Sequence, residues 1–278
     1  HLRRELNTMK PIYISDNDYF RWQYNGNEYV LHIQQDSYPE DPRTFDDHDT
    51  LMACFHRRYT LGDTIDQREP EAFWQELVHR YVPTDELLGA LKKGKLEPLR
   101  LTQTEAGYTL EYPSEVTWRD MSQEALILQL ESELTIPQCQ SLLYPYLVSL
   151  PLWLYDHGGI TISCGDREYP YNDRWDSGLV GWIIYAKQAE DGEDWREKAF
   201  AWMRAEVEEY DHYLTGEVYG FTLYENGEET DSCWGYYGDD LTQNGILDEG
   251  PGLTEALASD SYTTGQARKE TTVTYYFD

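Results

Sequence analysis

Apolar positions along this chain switch repeatedly between a period of two and a period near 3.6, the pattern of strands interleaved with helices. Three short β-like runs come first: Pro11 to Ser15, Tyr19 to Tyr24 and Glu28 to Gln34. The last two are joined by Asn25-Gly26-Asn27, residues that tolerate positive φ and favour a hairpin. Helical spacing follows in Arg68 to Tyr81, where Phe73, Leu77 and Tyr81 recur every four residues. Thr84 is placed to cap a short helix through Leu91 that stops before Gly94, and Met121 to Leu134 carries Leu126, Leu130 and Leu134 on one face, with Trp118 beneath it. From Pro151 the period returns to strands: Leu152 to Asp156, Ile160 to Ser163 after a Gly158-Gly159 turn, and Leu179 to Ala186. These runs are continuously apolar, which predicts the centre of a sheet.

Asp194 to Thr215 is the clearest helix, with Phe200, Met203, Val207, Tyr210 and Leu214 on one stripe and Gly216 just past its end. Phe221 to Tyr224 and Glu229 to Tyr236 flank Asn226-Gly227, a strong type I′ hairpin signal, and Glu270 to Phe277 alternates as a final strand. There is no internal repeat, low-complexity tract or Pro/Ser linker. The expectation is a single α+β domain over 9–278, with a mixed or antiparallel sheet flanked by several helices. Met9 reads as a natural start, so residues 1–8 are taken as an upstream remnant and kept out of the fold argument.

Composition changes this picture through charge alone. Of 278 residues, 22 are Lys or Arg and 52 are Asp or Glu, a net charge of −30. A chain so anionic is repelled by phosphate, which argues against direct binding to nucleic acid or an anionic membrane. The longest apolar runs fall far short of the ~20 residues of a membrane span. Four scattered cysteines, with no CxxC pair, point to a reduced, cytoplasmic protein.

The charge is also unevenly placed. No Lys or Arg occurs between Arg204 and Arg268, a stretch holding fifteen acids, among them Glu206, Glu208, Glu209, Asp211, Glu225, Glu228, Glu229, Asp231, Asp239 and Asp240. A second run, Asp36 to Asp49, sets six acids against Arg43. Three explanations compete. One is an ordinary solvated acidic surface, to which seven Lys against fifteen Arg add a hint of salt adaptation. Another is mimicry of a nucleic-acid backbone, since carboxylates at i, i+4 on a helix stand ~5–6 Å apart. The third is calcium at Asp239-Asp240 or Asp46 to Asp49, although no spacing matches an EF-hand.

Polar side chains able to do chemistry are His56, Asp63, Asp156, His157, Asp173 and Asp176, because His and carboxylate serve both as general bases and as divalent-metal ligands. Their spacing matches no established signature, and Asp156-His157 on a turn is read first as a pair that bonds the backbone. Trp175-Asp176-Ser177-Gly178 lacks the G-x-S-x-G elbow of a serine nucleophile. His56-Arg57-Arg58 is read as a positive partner for Asp46 to Asp49, with a small anion site as the alternative.

Three clusters are more distinctive than their surroundings: EDPRTFDDHDTLMACFHRRYTLGD from Glu40 to Asp63, PLWLYDHGGITI from Pro151 to Ile162, and RWDSGLVGWIIY from Arg174 to Tyr185. With EVYGF at Glu217 to Phe221 and DSCWG at Asp231 to Gly235, they resemble a family of uncharacterised proteins encoded by bacteriophages and other mobile elements, over nearly the whole chain after Met9. Members of that family carry a PREWDN-like start where this chain has Pro42-Arg43-Thr44-Phe45-Asp46-Asp47, and YDHSG where it has Tyr155-Asp156-His157-Gly158-Gly159. The resemblance implies a setting in mobile DNA and brings no established activity.

Charge and resemblance together predict a non-enzymatic phage protein, acting in the cytoplasm of an infected bacterium. It would present carboxylates to the basic channel of a host nucleic-acid-binding defence protein, such as a restriction or CRISPR effector. No metal and no cofactor are expected in that reading. The alternatives are a metal-dependent hydrolase or nuclease using His56, Asp63, Asp156, His157 and Asp176, and a phage structural or regulatory protein with a merely solvated acidic surface.

Overall fold

The computed structural model describes residues 9–112, 116–165, 177–269 and 275–277. Pro11 to Ser15 is not a strand: Tyr13 forms a lone bridge to Asp240, and Ile14 N–H donates to the Asp239 carbonyl. Strands β1 (Asp18–Tyr24) and β2 (Asn27–Gln35) form the expected antiparallel hairpin. Its two-residue turn puts Asn25 and Gly26 at φ of 52° and 86°, the left-handed region that a type I′ turn requires. Strand β3 (Thr50–Cys54) precedes helix α1 (Pro70–Tyr81), which buries Phe73, Trp74, Leu77 and Val78. Helix α2 (Thr84–Lys92) has Pro83 at its N-cap, so Thr84 is the first helical residue and not the cap.

A meander that the hydrophobic pattern did not announce follows: β4 (Arg100–Thr104), β5 (Gly107–Tyr112) and β6 (Val116–Met121). Met121 closes β6, so helix α3 (Gln123–Ser132) starts later than expected, where the Ser122 hydroxyl accepts from Ala125 N–H at 3.2 Å. Leu126, Leu130 and Leu134 are all buried. Helix α4 (Ile136–Leu143) was also missed; a capping box between Thr135 and Gln138 starts it. Then come β7 (Leu147–Asp156), β8 (Ile160–Cys164), β9 (Ser177–Ala186), the 21-residue helix α5 (Trp195–Thr215), β10 (Val218–Glu225) and β11 (Glu228–Tyr237). The β10–β11 turn repeats the first, with Asn226 and Gly227 at 52° and 84°. A short helix α6 (Leu253–Ala258), β12 (Tyr262–Gln266) and the two-residue pair β13 (Arg268–Lys269) and β14 (Tyr275–Tyr276) complete the order. Of the expected strand Glu270 to Phe277, residues 270–274 lie outside the described residues.

The class is α+β with antiparallel sheets, as expected. The chain forms two compact units, and each is assembled from separated segments. The first comprises the chain up to Asp46, 155–163, and everything from Glu206 on. Its five-stranded sheet runs β11-β10-β2-β1-β12. One core gathers Phe20, Trp22, Leu31, Ile33, Phe221 and Leu223 with Ile246, Leu247 and Leu253 from the α6 region.

The second unit comprises 47–154 and 164–205. Its core joins Trp74, Val78, Leu87, Leu110, Leu126, Leu130 and Leu143 from α1 to α4 and β5, with Trp182 from β9, and Trp118 packs against it. Strand β9 lies between β3 and β7 and is buried without break from Val180 to Tyr185, as a central strand should be. Strand β7 differs from expectation, because from Leu150 to Leu154 it alternates buried leucines with half-exposed Pro151 and Trp153. Among the described residues no helix is long and apolar enough to cross a membrane.

Candidate acidic interface

The site is built from a turn, a helix and the end of a hairpin, all in the first unit. Asp41 caps the 3-10 turn Pro42–Thr44, its Oδ1 accepting from Arg43 N–H at 2.8 Å, while Pro42 has no N–H to satisfy. The turn sends the Arg43 side chain inward, where it is only 3% exposed and meets Glu206 Oε2 of α5 at 2.6 Å. The one Lys or Arg of the Asp36 to Asp49 run is thereby engaged inside the protein.

Tyr237 closes β11 and its hydroxyl donates to the Glu40 carbonyl at 2.7 Å. Burial pushes the phenol up to about 12, helped by the negative charges of Glu209, Glu40, Asp41 and Asp36. The fold thus brings part of both acidic runs to one place, which their separation of some 170 positions in the chain hides. Tyr219, at the start of the neighbouring β10, is raised as well, by burial and then by Asp239, Glu217, Asp16 and Asp18. This end of the β10–β11 hairpin is strongly anionic. Neither tyrosine carried a sequence signal, because their part depends on strand ends that meet only in the folded sheet.

The other expected interface carboxylates divide by role. Asp211 is half-buried, and its Oδ1 accepts from Thr161 Oγ1 at 2.8 Å and Ile162 N–H at 2.7 Å. Burial raises its carboxyl and those two bonds oppose the rise. Glu225 accepts from Asn27 Nδ2 at 2.6 Å and from the Tyr29 hydroxyl at 3.2 Å. Asp240 accepts from Ile12 N–H, Thr242 N–H and Thr242 Oγ1, so it organises a turn, and adjacent Asp239 is half-buried. Glu208, Glu209, Glu228, Glu229 and Asp231 are exposed.

Glu206, Glu209, Glu228 and Glu229 do not make one continuous anionic surface, on two counts. Glu206 is held by buried Arg43. Glu228 opens the ten-residue β11 and Tyr237 ends it, so the two stand about 30 Å apart at ~3.3 Å per residue. That is several Debye lengths at physiological salt, and the two ends of the strand act separately on a partner's charge.

Of the side chains singled out for hydrolytic chemistry, His56 and Asp63 have local roles. His56 Nδ1 accepts from Arg58 N–H and Tyr59 N–H, each at 3.2 Å, and the ring stacks on Tyr59. Asp63 Oδ2 accepts from Met52 N–H at 2.7 Å, with His48 Nε2 3.9 Å from its other oxygen. Asp156 and His157 lie at the β7–β8 turn, where His157 N–H donates to the Gly159 carbonyl. Asp173 and Asp176 lie outside the described residues. Among the described residues no three His, Cys, Asp or Glu side chains are grouped to hold a metal ion. Comparison with protein-family models, curated proteins and solved structures returns no match for this chain.

Proposed function

We propose that this protein is a non-enzymatic inhibitor whose acidic first unit docks on the basic, nucleic-acid-binding surface of a bacterial defence protein. The observation that carries the reading is the convergence of Asp36, Glu40, Asp41 and Glu209 around Tyr237. An array of carboxylates from a turn and a helix, gathered at a strand end, offers Lys and Arg the kind of partner that a phosphate backbone does. The 63 positions from Ala205 to Ala267 without a single Lys or Arg support it, since no permanent cation of that stretch competes for the carboxylates. The resemblance to mobile-element proteins supplies the setting, the cytoplasm of an infected cell.

The test is capture from a bacterial lysate at low salt, followed by competition. A true partner binds double-stranded DNA or RNA, loses that binding when the acidic protein is added, and releases the protein steeply as salt rises. Exposed Glu40 and Glu209 changed together to Lys should slow association, because steering by net charge sets the on-rate. Recovery of no nucleic-acid-binding partner at low salt, or binding indifferent both to salt and to the double reversal, would sink the proposal.

A further inference from the structure

The second unit contains an open pocket of about 410 Å³, lined by α1, the end of α4, β7, β9 and the first half of α5. Four aromatic residues line it, Trp74, Trp182, Tyr144 and Phe200, together with the aliphatic start of β7. The β7 alternation explains the space: Leu150 and Leu152, fully buried, pack on one face of the strand, and Ser149 and Pro151 on the other face line the pocket. Among the described residues no charged side chain lines it. Gln140 and Ser149 are its polar lining, and neither side chain makes a hydrogen bond among the described residues. The indole N–H of fully buried Trp74 also has no partner among them, and a bare buried donor costs about 1–3 kcal/mol.

From these features we infer a small-molecule site, independent of the acidic interface, for a flat, uncharged ring compound bearing an amide-like donor and acceptor. The volume falls within the ~300–1,000 Å³ of ordinary ligand sites and suits one or two fused rings. Ring faces and β7 aliphatics supply the apolar contact, and Gln140 and Ser149 fix orientation through the ligand's polar edge. A charged ligand would surrender its hydration with no countercharge in the lining.

Quinolin-2-one is a suitable probe, followed by saturation-transfer NMR on the intact chain. Naphthalene, 1-methylquinolinium and naphthalene-2-sulfonate serve as the apolar, cationic and anionic comparisons. The expected result is saturable binding of quinolin-2-one, weaker binding of naphthalene and none of the two ions. Ser149→Phe should fill the pocket and weaken quinolin-2-one at least about tenfold. Should that variant not fold, Gln140→Leu, on a half-exposed helix position, decides: it should weaken quinolin-2-one several-fold and leave naphthalene unchanged. Absence of saturation transfer at about 1 mM probe, an ion binding as tightly as quinolin-2-one, or insensitivity to the folded variant tested would overturn the inference.

Discussion

Glu206 and Glu208 look interchangeable in the sequence, as two acids within one turn of the same helix, yet the structure sets one against a buried cation and leaves the other exposed. Changing each to Gln removes one negative charge and little volume. At Glu206 the loss falls on a guanidinium that is 3% exposed and 2.6 Å away. Breaking a fully buried pair costs about 3–5 kcal/mol, whereas an exposed pair is worth about 0.2–1 kcal/mol. The Glu206 carboxylate is 23% exposed, and Gln keeps an acceptor for Arg43, so a cost of about 2 kcal/mol is expected, in the range of a hydrogen bond to a charged group. Thermal unfolding should show it as a fall of about 4–8 °C, at roughly 2–4 °C per kcal/mol. Glu208→Gln, at an exposed position, should leave stability within about 0.5 kcal/mol. A double-mutant cycle with Arg43→Met should return a coupling of about 1 kcal/mol or more for Glu206 and none for Glu208. If Glu206→Gln proved as stable as the parent, or its coupling to Arg43 vanished, the argument from burial would be wrong, and Glu206 would rejoin the interface carboxylates.

Two further outcomes are expected. The folded-state value of Tyr237, about 12, exceeds its ordinary 10.0; the stability this confers is therefore complete below about pH 10 and is lost as pH rises through about 12. Denaturant midpoints across that window should fall less in Tyr237→Phe than in the parent, and equal slopes would contradict the assignment. Strand β11 is the sheet's edge, exposed from Glu228 through Gly235, and acids there discourage pairing with another chain. Replacing Glu228, Glu229 and Asp231 by Thr should make the sedimentation coefficient rise with concentration where the parent's does not; matching profiles would show that these acids do not guard the edge.

Local features were legible in the sequence because their causes are local. Asn25-Gly26 and Asn226-Gly227 announce hairpins through residues that accept positive φ, and both turns have it. The stripe Met203, Val207 and Tyr210 announces α5, and all three are buried. The meander β4–β6 stayed hidden because its residues are largely polar and half-exposed, so no apolar alternation marks it. Helix α4 has eight residues, too few for the 3.6-residue period to stand out. In the candidate site, the acids themselves were visible, but not which of them turn inward. Asp211, Glu225 and Asp240 are taken up by backbone and side-chain donors distant in the chain, and no spacing rule foretells a partner some 50 to 230 positions away.

The strand order of the first unit also dictates when it can form. β2 is flanked by β1 on one side and by β10 on the other, and β10 begins at Val218, long after β2 ends at Gln35. At about 5–20 residues per second, a nascent β1–β2 hairpin waits roughly 10–40 s for its third strand, with Leu31 and Ile33 unburied. An isolated hairpin is marginal in water, so a chaperone contact with those residues is the hazard of that interval. The second unit, complete once residue 205 is made, can fold while the first is still missing three of the five strands of its sheet. A chain cut anywhere between residues 206 and 217 should accordingly yield a folded second unit trailing an unfolded amino-terminal hairpin.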